Sequence, residues 1–170
     1  MPAPRSTNPR GSRLGPTAPP APARRRDPAE HEDVADPRQP RHIVDHTMAR
    51  QRALSAAVLA ATGSSDALDP HPDLIRAAKH HGRPAGRTCP WCRGQALVLL
   101  RYVYSDELGP YSGRIKTEAE LDQMAADYGF LDVFVVEVCP DCGWNHLLRS
   151  YVLGDGHQRR PHRRPPDLLD

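Results

Sequence analysis

Two short cysteine motifs constrain the fold of this chain more than any other feature. CPWCRG contains Cys89 and Cys92, and CPDCGW contains Cys139 and Cys142. One such turn offers a metal ion two thiolates, whereas two turns together supply the four ligands of a tetrahedral site. We therefore expect the chain to bring both motifs together around a structural Zn²⁺ ion that all four cysteines bind.

The first motif also has a redox interpretation, because C-P-aromatic-C is typical of dithiol active sites in which a lowered thiol pKa creates the nucleophile. A thioredoxin-like fold needs an apolar strand before the motif and a helix after it. Here the polar segment HHGRPAGRT, which we predict to be a loop, precedes Cys89, and a β-rich segment follows Cys92. These flanks favour zinc and leave a thiol-disulfide oxidoreductase as an alternative.

The residues around the motifs suggest how the turns are built. Gly143 directly follows Cys142 and Gly94 lies two residues after Cys92, and we expect both glycines to adopt the positive φ that turns backbone amides toward the sulfurs. His146 is a further ligand candidate, but four thiolates already fill a tetrahedron. We expect it to be an ordinary surface or half-buried side chain, and Trp91 and Trp144 to cover the thiolates.

The remaining patterns predict an α+β fold with a small antiparallel sheet that carries the zinc-ribbon knuckles. Three segments are short, apolar and rich in β-branched residues, as strands are: ALVLLRYVY (96–104), FLDVFVVEVC (130–139) and NHLLRSYVLGD (145–155). The last two flank CPDCGW closely, which predicts a hairpin with the cysteines at its tip. Together they indicate a three-stranded sheet.

Helical patterns occur in three places. Two lie before the first motif: an amphipathic helix in DHTMARQRALSAAVLAATG and a shorter helix in HPDLIRAAKHHG, where Pro72 and Asp73 mark the start. The third is inserted between the cysteine pairs. There Thr117 and Glu120 form a T-x-x-E capping box ahead of an apolar stripe, and Gly129 ends the helix.

Composition and charge divide the chain into four segments. Ten of its 19 prolines lie in the first 40 residues, so residues 1–41 are predicted to be a disordered Pro/Arg-rich tail. Residues 42–84 are expected to be helical, 85–155 to form the zinc-ribbon-like α+β domain, and 156–170 to be a second disordered, basic tail.

Net positive charge is confined to the two tails. The net charge of residues 42–155 is −3, whereas the whole chain carries +2. A fold that binds nucleic acid by neutralising phosphates places Lys and Arg on one face. The folded segment does not favour that function, and the ARRRD run in the N-terminal tail offers at most a weak contact with nucleic acid or an acidic protein.

No segment approaches the ~18 consecutive apolar residues of a membrane span, and the N-terminus lacks the apolar stretch of a secretory signal. We therefore expect no membrane association and a cytoplasmic location. In that compartment, paired cysteines more often bind metal or do redox work than form structural disulfides.

The stretch from Val44 to Asp155 resembles an uncharacterised actinobacterial family of small proteins, domain of unknown function 5318. The resemblance rests on four blocks and their order: HPDLIRAAKHHG, CPWC, YVYSDELGPYSGRIK and VEVCPDCGWNHLLRSYVLGDG. It implies a cytoplasmic, zinc-ribbon-like protein and no known activity.

From these patterns we expect a non-catalytic zinc-binding adaptor or regulatory module and not an enzyme. The chain has no G-x-S-x-G, phosphate-cradling glycine loop or H-E-x-x-H, and a closed four-cysteine site leaves no coordination position for substrate. We assign no catalytic residue. The expected partner is an unidentified protein that contacts Tyr104–Lys116 together with Trp144 and Asn145. A nucleic-acid-associated zinc ribbon of transcription or translation is the main alternative.

Overall fold

The computed structural model describes residues 36–59, 70–94, 96–157 and 159. Of the two tails predicted to be disordered, 1–41 and 156–170, residues 1–35, 158 and 160–170 lie outside the described residues. The predicted end of the first helix at Gly63 also lies outside them.

The fold is α+β with one antiparallel sheet, as predicted, but the described residues form six strands and not three. In chain order these are β1 (Arg41–Asp45), β2 (Arg83–Thr88), β3 (Ala96–Tyr104), β4 (Arg114–Ile115), β5 (Leu131–Val138) and β6 (Asn145–Leu153). Their order in the sheet is β1-β6-β5-β3-β2, and the short β4 also pairs with β3. Strands β5 and β6 form the predicted hairpin, which carries the second cysteine motif at its tip.

The additional strands lie at the edges of the sheet. β1 pairs with β6 and β2 pairs with β3, and nearly all of their residues are exposed or only partly buried. The prediction that HHGRPAGRT is a loop is therefore wrong, because Arg83–Thr88 is a strand. Edge strands pair through their backbone and tolerate polar residues and proline, so their sequences lack the apolar pattern of central strands.

Three helices accompany the sheet in the described residues: α1 (Thr47–Leu59), α2 (Pro72–His81) and α3 (Glu118–Asp127). A 3₁₀ helix spans Asp106–Tyr111. The predicted capping box of α3 is confirmed, because Thr117 Oγ1 accepts a hydrogen bond from the Glu120 amide (3.3 Å) and Glu120 Oε2 accepts one from the Thr117 amide (2.8 Å).

Helices α2 and α3 pack on opposite faces of the sheet. Leu121 and Ala125 of α3 pack against one face, where Val103, Val133 and Tyr151 are buried. Ala78 of α2 packs against the opposite face. Strands β3 and β5 are thus covered on both faces. The first cysteine motif lies just before β3 begins, and the second lies just after β5 ends.

Helix α1 does not have the predicted amphipathic character. It buries only Ala57 fully, while Met48 and Val58 are 68% and 59% exposed. Its partly buried Ala53 and Leu54 contact the cluster that surrounds the cysteines. The apolar residues of this alanine-rich segment recur at helical intervals in the sequence, but only a short part of the helix packs against the rest of the fold.

Candidate metal centre

The four cysteines come together from two loops at one end of the sheet. Cys89 and Cys92 lie between β2 and β3, and Cys139 and Cys142 lie in the turn between β5 and β6. All four Sγ atoms are within 4.8 Å of one another, and no histidine or carboxylate of the described residues joins this group. The fold thus assembles the ligand set expected from the spacing of the motifs.

The sulfur separations fit a tetrahedral metal site. Sγ atoms are 3.6 Å apart between Cys89 and Cys142 and 3.8 Å apart between Cys92 and Cys139. A thiolate tetrahedron with metal–sulfur distances of about 2.3 Å has edges of about 3.8 Å, whereas a disulfide bond measures about 2.05 Å. Four cysteines at these distances can hold one metal ion.

The two turns are built alike. In each, the residue after the second cysteine donates its amide to the carbonyl of the first: Arg93 N to Cys89 O and Gly143 N to Cys139 O, both at 3.1 Å. Both donors have positive φ, 56° at Arg93 and 81° at Gly143. The positive φ predicted for Gly143 is confirmed, but in the first turn the left-handed position belongs to Arg93 and not to Gly94.

Burial differs among the cysteines. Cys89 and Cys139 are buried, Cys142 is partly buried, and Cys92 is exposed. Burial raises the pKa of the Cys89 thiol above its ordinary value, and backbone hydrogen bonds from Cys92 and Trp91 oppose the increase. Burial also raises the pKa of Cys142, against a backbone hydrogen bond from Trp144. Such thiols stay protonated at neutral pH until a metal ion displaces the protons.

Aromatic side chains surround the cysteines. Trp144 is completely buried beside Cys89, Cys139 and Leu97, and Trp91 packs partly buried against the same cluster. This packing agrees with the predicted cover over the thiolates. It also corrects the predicted partner surface, because a buried Trp144 is not available to another molecule.

His146 contacts Trp144, and it is not part of the group of four cysteine sulfurs. Its ring stacks on Trp144 with centroids 6.5 Å apart, and a 2.6 Å hydrogen bond joins its Nδ1 to the carbonyl oxygen of Leu147. The side chain is partly buried, as the sequence predicted.

Glu137 is a further component of this centre that the sequence analysis missed. Its carboxylate is completely buried and accepts hydrogen bonds from Arg50 Nε (2.5 Å), Arg87 Nη2 (2.7 Å) and Trp144 Nε1 (2.8 Å). It thereby ties α1, β2 and the second knuckle to β5. An acid among the apolar residues of VFVVEVC, at an inward-facing position of the alternating pattern, was the available signal.

The network around Glu137 carries a net positive charge. Arg50 and Arg87 contribute two positive charges and Glu137 contributes one negative charge, so the three side chains carry +1. Arg50 also lies over the Trp144 ring, with its Cζ 6.0 Å from the centroid.

The segment Tyr104–Lys116, predicted to contact a partner, lies at the other end of β3. Tyr104 and Tyr111 are about half exposed, and the guanidinium of Arg114 lies 4.6 Å from the Tyr111 ring centroid. Glu107, in contrast, is buried and accepts hydrogen bonds from the amides of Gly129 and Arg159. Glu107 therefore fixes the segment to the rest of the fold, while Tyr104 and Tyr111 present aromatic rings to solvent.

Fold and site together define an α+β protein whose sheet holds a four-cysteine centre able to bind a metal ion. The chain belongs to the family of unknown function DUF5318, whose family model matches residues 37–166. It is similar to the uncharacterized proteins Mb0050 of Mycobacterium bovis and Rv0049 of Mycobacterium tuberculosis. Each is 42% identical over 120 residues, which cover 71% of this chain and 88% of the relative.

No solved structure matches this chain significantly. Among the helices of the described residues, none has the length and apolar character that crossing a membrane would require.

Proposed function

We propose that this protein is a non-catalytic zinc protein in which Cys89, Cys92, Cys139 and Cys142 hold a structural Zn²⁺ ion and an exposed surface binds a partner protein. The observation that carries the proposal is the closed ligand set: four Sγ atoms mutually within 4.8 Å, contributed by two knuckles of the same construction.

Zinc is the metal that this donor set favours. A tetrahedral set of four thiolates is typical of structural zinc and of some iron sites. Structural zinc sites are fully coordinated by the protein and leave no position for a substrate or an activated water. The metal then stabilises the fold, since binding free energy and folding free energy are coupled.

The redox alternative is less well supported. A reactive dithiol needs an accessible cysteine with a lowered pKa, whereas Cys89 is buried and burial raises the pKa of its thiol. The first motif also leads into strand β3 and not into a helix whose N-terminus would stabilise a thiolate.

The proposed partner surface is the Tyr104–Lys116 segment. Exposed tyrosines are enriched in protein interfaces because they supply a large contact area at low entropic cost. Tyr104 also packs edge-on against Phe134, with centroids 5.5 Å apart, so its ring is held in place before a partner arrives. Preorganisation of this kind lowers the cost of binding.

Metal analysis tests the first half of the proposal. The purified full chain, refolded with Zn²⁺ and separated from free metal, should contain one zinc per chain by elemental mass spectrometry. Cys139→Ser should lose it. Much less than one zinc per chain in the wild type, or iron retained in preference to zinc, would contradict the assignment.

Affinity purification tests the second half. The tagged full chain and a Tyr104→Ala/Tyr111→Ala variant would be recovered from native cells after nuclease treatment, with Leu59→Ala as the control because Leu59 is a more exposed apolar residue on α1. A stoichiometric protein partner lost in the tyrosine variant and kept in the control supports the proposal. Association that nuclease abolishes would favour the nucleic-acid alternative.

A further inference from the structure

A cavity opens where the outer edge of β3 is incompletely covered. β2 pairs with β3 up to Leu99 and β4 pairs with it from Tyr102 onward. Between these two strands, α2 ends at His81 and α3 begins at Glu118. Two overlapping cavities of about 320 and 360 Å³ occupy this gap, and they share Arg83, Leu99, Arg101 and Thr117.

Arg101 is the unusual residue of the cavity wall. Its side chain is only 9% exposed, although it projects from the middle of a strand. Its Nη2 donates to Glu118 Oε1. Burial raises the pKa of the Tyr151 hydroxyl, and the positive charge of Arg101 opposes that increase. Its buried Nε has no hydrogen-bond partner among the described residues. An unsatisfied donor on a buried cation is costly, and the same residue borders both cavities.

The wall carries a surplus of positive charge. Arg83, Arg101 and Lys116 face two carboxylates, Glu118 and Glu120. Lys116 is paired with Glu120 (3.0 Å) and Arg101 with Glu118, whereas the Arg83 guanidinium has no ion-pair partner in the described part of the chain. His80 and His81 also line the cavity and add charge when protonated.

We propose that this cavity binds a small metabolite through a phosphate or carboxylate group that Arg83 and Arg101 hold between them. Planar guanidinium groups suit both anions because two N–H groups can donate to two oxygens at once. At about 30 Å³ per water molecule, a cavity of about 320 Å³ has room for the anion and a small organic body. The site lies away from the cysteines and does not depend on which metal they bind.

Nuclear magnetic resonance titration tests this site in the zinc-loaded full chain. Inorganic phosphate and acetate are added separately at constant ionic strength while backbone amide and arginine Nε–H signals are followed. We expect saturable shifts at Arg83, Arg101 and Thr117, and the ion that binds more tightly identifies the anionic group of the ligand.

Two charge-neutralising variants decide the outcome. Arg83→Gln should weaken the preferred ion about tenfold, since a charge-assisted hydrogen bond is lost. Arg76→Gln is the matched control, because Arg76 is exposed on α2, pairs with Asp73 and does not line the cavity. The affinity of this variant for the preferred ion should stay within about twofold of the wild-type affinity. Linear, non-saturating shifts with both ions, or equal losses in the two variants, would overturn the proposal. Arg83→Gln decides this even if replacement of the buried Arg101 prevents folding.

Discussion

Replacing Glu137 with glutamine removes one charge from the network behind the cysteines and changes the volume little. The amide oxygen can still accept from Trp144 Nε1, but the ion pairs with Arg50 and Arg87 are lost. Leucine at the same position removes the acceptors as well and leaves the buried indole N–H unsatisfied. The two substitutions therefore separate the contribution of charge from that of hydrogen bonding.

The magnitude follows from the exposure of the three partners. Glu137 is fully buried and Arg50 is 16% exposed, whereas Arg87 is 46% exposed and can recover water. Breaking a buried ion pair costs about 3–5 kcal/mol, and an exposed pair contributes about 1 kcal/mol or less. We discount for the partial exposure and expect a loss of about 2 kcal/mol for Glu137→Gln. The unsatisfied indole adds about 1–2 kcal/mol in Glu137→Leu.

Urea unfolding of the zinc-loaded chain, followed by circular dichroism, measures this loss. With an m value of about 2 kcal/mol/M, Glu137→Gln should lower the midpoint by about 1 M and Glu137→Leu by more. Asp73→Asn is the control, because its ion pair with Arg76 is exposed on both sides; we expect about 0.5 kcal/mol. Adding Arg50→Met to Glu137→Leu should restore part of the stability, since it removes a stranded cation.

The reasoning would be refuted if Glu137→Gln were no more destabilising than Asp73→Asn. The network would then be an incidental contact and not part of the support of the metal centre.

Three further outcomes are expected. Cys139→Ser should abolish zinc binding and most of the folded circular dichroism signal, and the exposed Cys92→Ser should retain more of the fold. Equal and negligible losses in both variants, compared with the wild type under zinc-loaded conditions, would contradict this. Gly143→Ala should destabilise by about 1–2 kcal/mol because its φ is 81°, whereas Arg93→Gly should be neutral or stabilising in thermal unfolding, and a reversed order would show that the left-handed positions are unimportant. Hydrogen bonds from the Thr117 amide, the Lys116 side chain and the Thr117 hydroxyl lower the pKa of Glu120 from 4.5 to about 2. The stabilisation from the ionised carboxylate, about 1 kcal/mol for a cap, is therefore fully present well above pH 4.5 and is lost as the pH falls toward 2. The stability difference between wild type and Glu120→Gln should narrow from pH 6 to pH 3, and a constant difference over that range would contradict this.

Features with a local chemical cause could be predicted from the sequence. Paired C-P-x-C turns, the T-x-x-E box at Thr117 and the hairpin around CPDCGW each depend on residues a few positions apart. Their hydrogen bonds form in the structure as their spacing indicates. The central strands could also be predicted, because β3 and β5 are covered by helices on both faces and consist mostly of apolar residues.

Features that depend on distant partners were not predicted. β1 and β2 are recognisable only through the strands they pair with, since RHIVD and RPAGRT carry no alternating apolar pattern. Arg50 and Glu137 are 87 positions apart, and Arg87 and Glu137 are 50 apart. No pattern in the neighbouring sequence indicates that Arg50 and Arg87 pair with one buried carboxylate. Arg93 was missed because glycine, not arginine, is the usual residue at positive φ.

X-ray absorption at the zinc edge of the purified full chain tests the central claim most directly. The proposal predicts four sulfur ligands at about 2.3 Å and no nitrogen or oxygen in the coordination sphere. A site with fewer than four sulfurs, or with a bound water or histidine nitrogen, would contradict a closed structural centre formed by Cys89, Cys92, Cys139 and Cys142.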